Sequence, residues 1–150
     1  MSVALAGGWV MLMFGGVWTG GILIVAVERT HQWERMSLEQ YAVDFRRCLR
    51  RMDPLMPILG AVCCIGTLVF AINRQGAAAT LAWLTLALMT VAILASIFIA
   101  EPMNSKFRDI PEGQIPERAD YIRTKWRRFH AVRTILAIGA LGCASAAVLL

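Results

Sequence analysis

The chain has 150 residues, 58% of them hydrophobic, with a net charge of +5 and a mean hydropathy of +0.61. That is too apolar for a soluble fold, whose amphipathic elements each need a wet face. The basic excess is what arginine-rich loops against anionic lipid produce, so the sequence predicts no nucleic-acid partner.

The charges are segregated. Residues 1–27, 54–73, 75–100 and 134–150 contain none, and all 25 charged side chains lie in 28–53, at Arg74 and in 101–133. A spanning helix needs about 20 mostly apolar residues. The pattern therefore predicts a single all-α membrane domain over 1–150, a four-helix bundle with transmembrane helices near 4–27, 54–73, 77–100 and 129–149.

The first helix has no basic leader and is too long for a signal-peptide core. Its Gly16 and Gly20 form a GxxxG, which permits close backbone approach and is expected to serve packing inside the bundle, with a dimer contact as the alternative. The helix ends in VERTH, with Glu28, Arg29 and His31. MSLEQY (36–41) then reads as a capping box, with Ser37 at the N-cap and Gln40 at N3. The helix it starts, about 38–52, puts Tyr41, Phe45, Cys48, Leu49 and Met52 on one side. Arg46, Arg47, Arg50 and Arg51 fall on another, as in an interfacial amphipathic helix lying on anionic inner-leaflet lipids.

Asp53-Pro54 suits the start of the second spanning helix, Asp as N-cap and Pro at N1. Glu101-Pro102 suits the end of the third, because proline restricts its predecessor. After a turn-rich crossing, helical spacing resumes near Glu117, with Trp126 placed as an interface anchor. Cys48, Cys63, Cys64 and Cys143 include no CxxC and read as small packing residues.

The first long loop carries six arginines and the last carries seven basic residues, whereas the short link between the second and third helices has only Arg74. The positive-inside rule then puts both long loops in the cytoplasm and both termini on the other side, as in a multi-pass protein of a bacterial inner (plasma) membrane.

Four helix ends meet at the arginine-rich face, bringing Glu28, His31, Asp53, Glu101, Asn104, His130 and Arg133 to one level. Polar groups at the edge of a membrane bundle are costly and mark function by default. His130 and Arg133 are three apart and share a helix face. An arginine one turn deeper than the last wet residue calls for a buried acid or an anionic ligand. The rival is structural: His130 hydrogen-bonding a neighbouring helix and Arg133 pairing with Glu28, Asp53 or Glu101, together tying helices. For cofactors, none is simplest. Two alternatives are an iron or copper site from Glu28, His31 and His130, with Glu101 completing it, and a haem held between His31 and His130.

GGILIVAVER, RMDPLMP, EPMNSKF and WRRFHAVR together resemble the small four-helix membrane proteins of the DUF1772, or anthrone oxygenase-like, family. The specific pieces are Pro102-x-Asn104 and Trp126-x3-His130-x2-Arg133. The resemblance implies Asn104, His130 and Arg133 as site residues, with Pro102 and Trp126 as structural companions. It also implies oxidation of a lipophilic phenolic or quinone-like small molecule with molecular oxygen; an anthrone-like substrate is a weak carbon acid, for which His130 would be the base and Arg133 the holder of the oxyanion. Two other functions compete. One is an accessory or assembly subunit, as a homodimer or within a larger membrane complex. The other is a small transporter, disfavoured because no helix breaks at the midplane.

Overall fold

The computed structural model describes residues 2–111 and 113–150. Its described residues form four long helices, each apolar and long enough to cross a membrane: α1 (Val3–Arg35), α2 (Leu38–Ile72), α3 (Gly76–Arg108) and α4 (Ala119–Leu149). The chain is a multi-pass integral membrane protein. Each helix packs on its chain neighbours, and α1 on α4 closes the ring.

Helices in lipid gain little from hydrophobic burial and associate through close packing of small residues. A Cβ on Gly66 would lie 2.8 Å from Met11 N, and one on Gly7 would lie 2.9 Å from Gly66 O. Backbone therefore meets backbone between α1 and α2. Ala137, Ala140, Ala144 and Ala147 play the same part along α4. Thr85 donates to Ala140 O at 3.3 Å. Cys63 is buried, and all four cysteines are free thiols.

Gly16 and Gly20 do not pack inside the bundle as expected. A Cβ on either meets nothing within 4 Å. The motif marks a bare outer face, while Gly7 and Gly66, which form no such motif, make the contact.

All four helices run past their apolar stretches at the charged end and build a second core there. Trp33, Tyr41, Phe45, Phe107, Ile122 and Trp126 are all buried in it. Edge-to-face contacts link the rings, such as Trp33 on Phe45 at 5.2 Å and Phe45 on Phe107 at 5.0 Å. Burying each such side chain is worth about 1.5–3 kcal/mol. This core makes the charged end a packed cap.

The cap accounts for three further departures. The helix Leu38–Met52 exists with both arms of its capping box, but Tyr41, Phe45 and Leu49 of its apolar stripe are buried in the second core. Asp53 (φ −60°, ψ −37°) and Pro54 (φ −70°, ψ −34°) both keep helical geometry, so the segment continues into Leu55–Ile72. Periodicity cannot tell a face that meets lipid from one that meets protein. Arg46, expected on phosphate, is buried, and its Nε donates to Phe107 O at 2.8 Å. It thereby satisfies a carbonyl orphaned at the C-terminus of α3. Trp126, expected as an interface anchor, is buried as well.

Pro102 does not stop α3. The proline has no N–H to give the carbonyl four residues back, and the turn before it has already changed register. Ser96–Ala100 is a π-turn in which Glu101 N–H bonds Ser96 O. A second π-turn, Val25–Arg29, carries α1 past its expected end at residue 27. Both lie at the charged end, and π-turns of this kind concentrate at functional sites.

Candidate functional site

Where the apolar bundle meets the cap, all four helices contribute to a cavity of ≈ 220 Å³. Trp18 and Ile22 come from α1, Asp53, Met56 and Pro57 from α2, and Arg133 from α4. The longest wall is α3, with Ile93, Ser96, Ile97, Ala100, Glu101 and Asn104. The π-turn supplies three of these residues. Pro57 and Ile97 are exposed, so the mouth opens at the outer face of the bundle between α2 and α3. A hollow at the opposite end, lined by Asn73, Arg74, Gln75 and Leu150, is larger (≈ 560 Å³). None of its polar residues is buried.

Arg133 is the central feature. Its Nη1 donates to Ser96 Oγ at 3.3 Å and its Nη2 to His130 Nδ1 at 2.7 Å. Its Nε is buried with no partner among the described residues. Among the described residues no carboxylate lies within ion-pairing distance of it. The two acids that line the cavity are engaged elsewhere: Arg108 bonds Asp53 Oδ2 at 2.9 Å and also bonds Glu101. The expected pairing of Arg133 with Glu28, Asp53 or Glu101 is therefore absent from this structure.

His130 stands behind Arg133. Its ring is buried and stacked on Trp126, with centroids 4.7 Å apart and planes at 11°. Nε2 lies 3.0 Å from Ile22 O. A carbonyl only accepts, so Nε2 carries the proton and Nδ1 accepts from Arg133. Both nitrogens are occupied, and the ring reaches the cavity only through the guanidinium. Asn104 is fixed similarly: Trp126 Nε1 donates to its Oδ1 at 3.0 Å, leaving the amide N–H donors for the cavity it lines.

The structure thus joins Asn104, Arg133, Asp53 and Glu101 at one cavity, with His130 and Trp126 in support. It does not bring in Glu28 or His31. Glu28 is exposed and bonded to Gln32 and Arg29. His31 is exposed nine residues beyond Ile22, about 13 Å along a helix axis. The expected iron or copper set of Glu28, His31 and His130 is therefore not assembled, nor is a haem-ligating pair of histidines. Among the described residues no three His, Cys, Asp or Glu side chains converge as metal ligands.

Asp53 is not the N-cap it was expected to be. The segment Leu55–Ile72 has no side-chain cap, and the Asp53 carboxylate instead faces Arg108. Three participants went unforeseen: Ser96, Trp18 and Arg108. Arg108 lies seven residues after Glu101, two turns along one face, a relation visible only if the helix survives Pro102.

Residues 45–143 match the family model described as anthrone oxygenase. The match includes Asp53, Glu101, Asn104, Trp126, His130 and Arg133 and leaves out Glu28 and His31. No curated protein and no solved structure matches the chain.

Proposed function

The chain belongs to the anthrone oxygenase family, and from that premise we propose that it is a membrane oxygenase for a flat, lipophilic anthrone-like substrate that reaches the cavity from the bilayer. One observation carries the reading: Arg133 is a cation at the cavity wall with a buried Nε, two neutral neighbours and, among the described residues, no carboxylate within ion-pairing distance. A desolvated cation left unpaired is costly. An anion arriving in the cavity would offset that cost, and its attraction is strongest where water is excluded.

An anthrone is a carbon acid. Removing a proton from its CH2 group gives an enolate whose charge rests on oxygen. The enolate carbon transfers electrons to O2 and forms a hydroperoxide. Loss of water from the hydroperoxide leaves the second carbonyl, so anthrone and O2 become anthraquinone and water. In this reading Arg133 holds the enolate oxygen and Asn104 donates to the same oxygen or to the peroxide. Asp53, at the cavity wall, takes the proton. His130, expected as the base, is instead a positioning residue that fixes the guanidinium through Nδ1. The apolar walls Ile22, Ile93 and Ile97 suit the fused rings.

The test is oxygen uptake by the purified protein in lipid discs after an anthrone is added. Uptake should match quinone formation one to one and exceed the rate in empty discs. Equal rates in both would reject the proposal and favour an accessory subunit whose polar cluster only joins helices.

A further inference from the structure

On the far side of α1 lies a second cavity of ≈ 310 Å³ between α1 and the cap portion of α2. It straddles the boundary between apolar and charged sequence. Its lower wall is Ile24, Val25 and Met52, and its rim carries Arg47 and Arg51. Arg29, also at the rim, is paired with Asp44 at 3.3 Å. Arg47 and Arg51 are exposed and have no ion-pair partner among the described residues. Ile24 lies four and eight residues beyond Gly20 and Gly16, on one helix face. Space beside both glycines is open, so a smooth strip runs from the cavity toward the middle of the bilayer.

We infer that this cavity binds one anionic phospholipid of the leaflet on the charged side, with its phosphate between Arg47 and Arg51 and an acyl chain along the Gly16–Gly20 face. Two free arginines a turn apart supply charge for a phosphodiester. The strip accepts a chain where any larger side chain would stand in the way. The Gly16–Gly20 motif, which does not pack the bundle, thereby gains a role. The occupant is a lipid and not a free phosphate because the cavity is apolar below its cationic rim.

The experiment is native mass spectrometry of the protein released from discs of phosphatidylcholine with one-fifth phosphatidylglycerol. The wild type should retain one phosphatidylglycerol in preference to phosphatidylcholine. Near an anionic surface each arginine contributes a factor of about five. Arg47→Gln with Arg51→Gln should therefore retain roughly 25-fold less, while Lys125→Gln with Arg128→Gln, which removes the same charge elsewhere, should match the wild type. Gly20→Leu should also lower retention with all arginines intact, and millimolar inorganic phosphate should not displace the lipid. Any one of these results would overturn the assignment: no preference in the wild type, equal loss in the control pair, full retention by Gly20→Leu, or displacement by phosphate.

Discussion

Replacing Arg133 by Met separates a functional arginine from a structural one. The substitution removes a cation that has no carboxylate partner and an Nε with no partner among the described residues. Relief of that desolvation favours the variant by several kcal/mol. Against it stand two lost hydrogen bonds with a charged donor, about 1.5–3 kcal/mol each. Ser96 is not orphaned, because its hydroxyl also donates to Ala92 O at 2.7 Å. His130 Nδ1 does lose its donor. The terms nearly cancel, leaving a net change within about 2 kcal/mol, or roughly 8 °C or less in Tm for a chain of this size. Turnover has no such compensation. Loss of one oxyanion donor lowers kcat by about 10²–10³-fold, and here a full charge goes too. Anthrone oxidation in lipid discs and thermal melting, measured on the same samples, check both halves. Activity within tenfold of wild type, or a collapse in Tm of 15 °C or more, would refute the reasoning.

Asp53→Asn should lower kcat by about 10²–10⁴-fold, the usual contribution of a general base. Its Tm should barely move, since a partly exposed pair such as Asp53–Arg108 contributes about 0–1 kcal/mol. His130→Gln should cost less activity, about tenfold, together with about 1–3 kcal/mol of stability from the buried ring stacked on Trp126. A larger kinetic loss than in Asp53→Asn would return the base to the histidine. Gly66→Ala should destabilise the bundle by about 1–3 kcal/mol through overpacking, because its Cβ would lie 2.7 Å from Val10 Cγ1. Gly16→Ala, with open space beside it, should be neutral in the same melt.

Segregated charge was enough to read four spanning helices, because charged side chains are costly and rare within a bilayer. Helix ends were harder. Pro54 and Pro102 both look like boundaries, yet a π-turn before Pro102 and helical dihedrals at Asp53–Pro54 carry the helices through. Such register changes depend on neighbouring helices and leave no local pattern. The cap was hidden for a related reason: the stripe Tyr41, Phe45 and Leu49 looks the same whether it meets lipid or protein. At the site, Asn104, His130 and Arg133 were legible as polar groups at the edge of apolar runs. The order in which they reach the cavity was not, since spacing puts His130 and Arg133 on one face without saying which stands behind the other. Arg108 and Ser96 were missed because the first seemed to lie beyond a helix stop and the second is an ordinary membrane-helix serine.

Mixing protein and an anthrone without oxygen isolates ionisation from oxidation, and so tests the Arg133 cavity most directly. Wild-type protein in lipid discs should generate the long-wavelength absorption of the bound enolate at a pH where the free anthrone stays protonated. Arg133→Met should not. The account is contradicted if the wild type gives no enolate, or if both proteins give it equally.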